Sequence, residues 1–130
     1  MSSLSILVVD DERPILTLIS RILEGGGHRV RTAGSGEAAL DLCNGLKAPL
    51  DLLITDIVMP GMDGLLLAEN VERIFPGVRV LFMSGKCDVA ALRKHITDTR
   101  HRFLPKPFRV HELIGEVRGM LGESPLRASA

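Results

Sequence analysis

Asp10-Asp11, Asp56, Ser84 and Lys106 are the residues whose types and spacing could do chemistry. Each stands just past the end of a short apolar run: Leu4 to Val9, Leu50 to Thr55, Val78 to Met83 and Phe103-Leu104. Clustered carboxylates repel one another, and each resists ionising beside its neighbours. A hard divalent cation resolves that conflict. Mg²⁺ takes one or two carboxylates and keeps waters or phosphate oxygens as its other ligands. A carboxylate can also attack phosphorus and form an aspartyl-phosphate. Phosphoryl transfer then depends mostly on positioning and electrostatics, which a lysine ammonium and a serine hydroxyl can supply. Taken singly, an acidic pair after a strand is often a turn or a helix cap, and Lys-Pro or Ser-Gly is commonplace. The weight lies in their joint placement.

Those residues meet only if the apolar runs are parallel strands, whose carboxyl ends line one edge of a sheet. Leu4 to Val9 and Leu50 to Thr55 are continuous and rich in branched residues, the pattern of strands buried on both faces. Arg29 to Ala33 alternates polar with small apolar residues and reads as an edge strand. Val78 to Met83 and Arg102 to Leu104 complete the set.

Helical spacing fills the gaps. Pro14 suits a first turn, and Ile15, Leu18, Ile19, Ile22 and Leu23 form one face, ended by Gly25-Gly26-Gly27. Ser35 can cap a helix whose core face is Ala38, Ala39, Leu42, Cys43 and Leu46. Asp63 can cap another, carrying Leu67, Ala68, Val71, Ile74 and Phe75 and stopped by Pro76-Gly77. A weaker helical segment spans about Val89 to Ile96, and a strongly periodic one carries Val110, Leu113, Ile114, Val117 and Leu121. Leu66 falls outside its stripe and is expected at the surface. Five βα units imply a parallel sheet with right-handed crossovers. Strand order 2-1-3-4-5 would put the polar second strand at an edge and the first and third side by side, with Asp10, Asp11 and Asp56 at their tips.

The chain has 130 residues, enough for one domain with its own core. The balance of 16 basic and 16 acidic residues argues against direct nucleic-acid binding, which leans on phosphate neutralisation. Cys43 and Cys87 have no metal-ligand or redox spacing and read as reduced thiols of a cytoplasmic protein. No signal peptide is expected from the first residues, and no apolar run is long enough for membrane insertion. His28, His95, His101 and His111 show no ligand spacing.

The wording of the motifs resembles the receiver domains of two-component response regulators, from Leu4 to about Leu121. The resemblance rests on Ile6 to Glu12 (ILVVDDE), Leu53 to Gly64 (LITDIVMPGMDG), Val80 to Gly85 (VLFMSG) and Phe103 to Phe108 (FLPKPF). Chemotaxis receivers exemplify strand order 2-1-3-4-5, so the resemblance and the strand order are one argument rather than two. It implies a flavodoxin-like doubly wound (βα)5 domain over residues 1-121, followed by a flexible tail at 122-130. It further implies a signalling switch in which Asp56 accepts a phosphoryl group from a sensor histidine kinase or a histidine phosphotransfer domain. Mg²⁺ would be bound by Asp11, Asp56 and the Val58 carbonyl, with Asp10 acting mainly through metal-bound water. Ser84 and Lys106 would contact the phosphoryl oxygens, with backbone amides near Val58 and Gly85. Lys106-Pro107 is expected to be cis. Phe103 holds the position of the switch aromatic, turning inward as Ser84 moves. Such a domain catalyses only its own phosphotransfer and autodephosphorylation.

The sequence departs from the family's commoner wording in places. Serine stands at 84 where threonine is frequent, and Phe103 lacks a tyrosine hydroxyl, so its switching would rest on packing. Val58 and Lys86 occupy the two positions that tune phosphate lifetime. Basic residues crowd between Arg93 and Arg109 against the single acid Asp98, a surface that could serve a homodimer or an output partner or be merely solvated. Standalone receiver and excised module of a hybrid histidine kinase both remain open, the motif wording favouring the second. A Mg²⁺-dependent phosphatase of the haloacid-dehalogenase kind is the rival. It would place its nucleophile after the first strand with an aspartate two positions on, where this chain has Glu12, and would usually need a cap domain. A degenerate receiver serving only as a binding module is disfavoured, because no key residue is missing.

Overall fold

In the computed structural model, residues 3–85 and 100–120 are described. Five strands form one parallel sheet in the order β2-β1-β3-β4-β5: β1 (Ser5–Val9), β2 (Arg29–Ala33), β3 (Leu52–Asp56), β4 (Arg79–Ser84) and β5 (His101–Pro105). Four described helices accompany them: α1 (Arg13–Gly25), α2 (Gly36–Gly45), α3 (Gly64–Ile74) and α4 (Val110–Met120). The expected flavodoxin-like doubly wound arrangement and strand order are therefore present. The segment expected to be helical at Val89 to Ile96, Lys86, Cys87, Leu121 and the tail at 122-130 lie outside the described residues.

The period-two alternation of the strands divides the core. Leu7, Val9, Leu53, Val80 and Phe82 face one side, where Ala39 and Cys43 of α2 and Leu67, Ala68 and Val71 of α3 cover them. Ile6, Val8, Leu52, Ile54, Leu81 and Met83 face the other, against Ile19 and Leu23 of α1 and Leu113 and Val117 of α4. Every residue of β1 and β3 is buried, which is why those strands read as unbroken apolar runs. Each fully buried Leu or Ile contributes about 1.5–3 kcal/mol. β2 and β5, with neighbours on one side only, keep exposed positions.

The caps form where expected. Ser35 Oγ accepts the Ala38 N–H at 3.1 Å, and Asp63 Oδ1 accepts the Leu66 N–H at 2.8 Å. Leu66 is exposed, as its position outside the stripe implies.

The helical stripes are narrower than the spacing suggests. Leu18 is 44% exposed. At roughly 100° per residue it lies a full step from Ile19, the buried centre of α1, whereas Leu16 on the other flank packs against the core. Ala38 is exposed for the same reason. Val110 is 49% exposed because it opens α4 with no preceding turn to flank it, and Met120 takes a core place that the spacing did not assign. No described helix is long and apolar enough to cross a membrane.

Candidate functional site

The central strands deliver the acidic residues. Asp10 directly follows β1; its N–H is held by the Ala33 carbonyl at 3.2 Å and its side chain is fully buried. Asp56 is the last residue of β3 rather than the first beyond it, so the sheet fixes its backbone as well as burying its side chain. The Thr55 hydroxyl donates to the Asp56 carbonyl at 2.9 Å, and the Ile57 N–H reaches the Met83 carbonyl at 3.0 Å. Asp10, Asp11 and Asp56 each place a carboxylate oxygen within 4.8 Å of the others. Asp11 is the exposed member.

Lys106 directly follows the edge strand β5, and the Lys106–Pro107 bond after it is cis as expected. Its Nζ lies 2.7 Å from Asp10 Oδ2, 3.3 Å from Asp56 Oδ2 and 3.7 Å from Glu12 Oε1. The second oxygen of Asp10 accepts the Glu12 N–H at 2.9 Å. Both Asp10 oxygens therefore already have protein donors.

Burial pushes the Asp56 carboxyl above its usual range; the Lys106 charge pulls it down and the Asp10 charge pushes it up again. Burial by itself would lower the Lys106 ammonium, yet its hydrogen bond to Asp10 and the charges of Asp10 and Asp56 outweigh that and raise it. One lysine thus faces three clustered carboxylates and leaves Asp56 reluctant to ionise. The donor set, all oxygen and short of positive charge, fits a hard divalent cation such as Mg²⁺.

These groups open into a cavity of about 570 Å³. Asp11, Asp56, Ser84 and Lys106 line its polar part, and Ile15, Leu18, Val58 and Phe108 its apolar part. Ser84 ends β4, buried, and its carbonyl accepts the Lys106 N–H at 3.1 Å. Gly85 packs close: a Cβ there would lie 3.4 Å from that of Lys106. Phe103 pairs in register with Phe82 and is half-buried against the core on the α2–α3 side. The structure therefore gathers Asp11, Asp56, Val58, Ser84 and Lys106 at one cavity, with Asp10 buried directly behind it against Lys106 and Phe103 on the neighbouring strand.

The residues expected from the sequence leave out four carboxylates, Glu12, Glu37, Glu72 and Glu116. Glu12 adds a third acid to the surroundings of Lys106, and its place beside Asp10-Asp11 was the available signal. Glu37 and Glu72 act across the fold, and nothing local announces them. Within the expected basic surface, Arg102 pairs with Glu116 at 3.1 Å. Arg100 lies 3.9 Å from Glu72 and donates to the Pro76 carbonyl. His101 meets Glu72 at 3.2 Å. Acids from α3 and α4 thus offset Arg100 and Arg102 of that surface, while Arg93, Lys94 and Asp98 lie outside the described residues.

Comparison with known proteins gives the same picture. The chain is 34% identical over 119 residues to the sensor kinase CckA of Brucella abortus, covering 92% of this chain but 13% of that kinase. It is 32% identical over 116 residues to the response regulator receiver protein CpdR of the same organism, covering 89% of this chain and 95% of that protein. The crystal structure of the receiver domain of the hybrid histidine kinase CckA superposes with a TM-score of 0.77 at 32% identity, over 90% of this chain and 98% of that one. The response regulator receiver domain family model matches residues 6–118. With that match added to the sheet order and the acidic cluster, the chain belongs to the response regulator receiver domain family.

Proposed function

We propose that this domain is a phosphorylation-controlled signalling switch in a two-component phosphorelay, accepting a phosphoryl group onto Asp56 in a Mg²⁺-dependent reaction. The observation that carries the reading is the convergence of Asp10, Asp11 and Asp56 beside Lys106 at the carboxyl edge of the sheet. Receiver domains catalyse only their own phosphorylation and dephosphorylation, so Asp56 is reactant as well as catalyst.

Asp11 and Asp56, with the Val58 carbonyl, would hold Mg²⁺. The engagement of both Asp10 oxygens by Lys106 and by the Glu12 N–H supports an indirect, water-mediated part for Asp10. When bound, the ion would supply positive charge to offset that of the phosphoryl group. The carboxylate of Asp56 attacks phosphorus as the phosphorus–nitrogen bond of a phosphohistidine breaks, and the electron pair leaves with the imidazole. Lys106 Nζ, 3.3 Å from Asp56, moves from carboxylate to phosphoryl oxygen. The Ser84 hydroxyl donates to another phosphoryl oxygen. Because the Ser84 carbonyl holds the Lys106 N–H, displacement of either residue pulls on both β4 and β5. Phe103, packed without a hydroxyl of its own, reports that displacement at the edge of the sheet.

The partner is a sensor histidine kinase or a histidine phosphotransfer domain. The chain spans a small part of the sensor kinase it matches and nearly the whole of CpdR, so both a hybrid-kinase module and a standalone receiver remain compatible with this reading. A cytoplasmic setting is part of the same proposal.

Incubation with acetyl phosphate and Mg²⁺ should add one phosphoryl group by intact mass. Asp56→Asn should add none, and undiminished labelling of that variant removes Asp56 as acceptor. Steady turnover of phosphomonoesters without a phosphodonor partner would instead support the phosphatase reading.

A further inference from the structure

We propose that Glu37, in the first turn of α2, is a positioning residue for the phosphorylation site. Its carboxylate clamps the loop joining Asp56 to α3 and thereby sets how tightly the site holds Mg²⁺. The proposal rests on the function proposed above.

The loop leaves the sheet directly after Asp56 and carries Val58, whose carbonyl is the proposed metal ligand. Its base is closed: the Gly64 N–H donates to the Ile57 carbonyl at 2.8 Å, so tightly that a Cβ on Gly64 would lie 2.1 Å from the Asp56 carbonyl oxygen. Met59 pins the near side by entering the core. In the outer stretch at Pro60, Gly61 and Met62, where Gly61 turns the chain with φ +76°, the Met62 side chain packs against the core but the backbone needs a further partner.

Glu37 holds that stretch from across the fold. Its Oε2 accepts the Met62 N–H at 3.1 Å. A Cβ on Gly61 would lie 2.8 Å from the same oxygen, so the carboxylate rests directly on the loop backbone. The neighbouring Gly36 completes the fit, since a Cβ there would come within 2.8 Å of Met62 Cβ. Gly36 gives the loop room to touch the helix, and Glu37 gives it an acceptor. An acid in a first turn also favours the helix dipole, but that needs only negative charge, not a carboxylate aimed at one amide of another element. A ligating group must be held within about 0.5 Å of its working position, and a loop fixed beforehand loses less freedom when the ion binds. Because the clamp is solvent-exposed, its loss should raise the Mg²⁺ Kd about three- to tenfold rather than abolish binding.

Calorimetric Mg²⁺ titration of the wild-type protein, Glu37→Ala, Glu37→Gln and Ser35→Ala tests this, with urea stability measured alongside in EDTA. Glu37→Ala should bind about three- to tenfold more weakly, while Glu37→Gln, whose amide oxygen accepts the same N–H, should stay within about twofold of wild type. Ser35→Ala removes the cap on the same helix without touching the loop, so stability should fall with Mg²⁺ affinity unchanged. An unchanged Kd for Glu37→Ala overturns the proposal. So does a Ser35→Ala variant weakened as much as Glu37→Ala, because helix integrity alone would then explain the effect. A wild-type protein that takes up no Mg²⁺ overturns the functional reading itself, and does so before any Glu37 variant is compared.

Discussion

The middle of the sheet and its β5 edge both contribute to the site, but they do so under different physical constraints. β1 and β3 are buried at every position, and the carboxylates of Asp10 and Asp56 at their ends are buried with them. β5 is half-exposed, has one neighbouring strand and delivers a single lysine on a long side chain. Fixed groups suit a cation and a nucleophile, which need constant geometry. A movable charge suits a group that must exchange one partner for another. The contrast suggests that substitutions at the centre should act through backbone and burial, and those at the edge through charge.

The largest effect is expected at the central loop. In Gly64→Ala the new Cβ would meet the Asp56 carbonyl oxygen at 2.1 Å, and backbone cannot yield as a side-chain tip can. The cost should approach about 3 kcal/mol in urea denaturation, with Mg²⁺ affinity lost as Asp56 shifts. A variant as stable as wild type would show that the centre is softer than its burial implies.

Lys106→Ala should come next. It leaves Asp10 and Asp56 without their common counter-charge, which costs roughly 3–5 kcal/mol for fully buried pairs. The cavity is open to water on one side, so about 2 kcal/mol is expected in EDTA. Saturating Mg²⁺ should recover part of the loss. If it recovers nothing, lysine and cation do not share the same negative charge.

Asp56→Asn should act in the opposite direction in metal-free protein. Burial holds this carboxyl above its usual value, with Lys106 offsetting only part of the shift. The folded state therefore prefers protonated Asp56. That stability is fully present below the ordinary carboxylate pKa and is lost as pH rises through the raised folded-state value. In EDTA the wild type should lose stability across that acidic window, whereas Asp56→Asn should lose less and melt higher at neutral pH. A lower melting temperature for Asp56→Asn at pH 7 would mean that pairing with Lys106 outweighs burial.

The same contrast separates what could be read in the sequence from what could not. Buried parallel strands announce themselves as apolar runs, and the Ser35 and Asp63 caps involve residues three apart, so both were legible. Asp10 and Lys106 lie 96 residues apart and were joined only by inferring the sheet order. Glu37, 25 residues from Met62, belongs to no motif, because spacing along a helix does not say what crosses from the next element. Leu18 and Leu16 exchanged places for a related reason. Periodicity defines a stripe, but only the tertiary packing decides which of its flanks is covered.

Arg102→Ala should produce the smallest effect, and it is the sharpest control for charge at the edge. Arg102 and Lys106 stand four residues apart, one near the start of β5 and the other just past its end, and each meets a carboxylate. The Arg102–Glu116 pair spans 3.1 Å with side chains 45% and 30% exposed, whereas Lys106 meets Asp10 at 14% and 0%. Water screens the first pair and scarcely reaches the second. Arg102→Ala should therefore cost at most about 0.5 kcal/mol, and that difference should shrink as salt is raised. The cost of Lys106→Ala should persist at the same salt. If the two substitutions cost alike and fade together, burial does not separate the two charges, and Lys106 is an ordinary surface lysine near an acidic pocket.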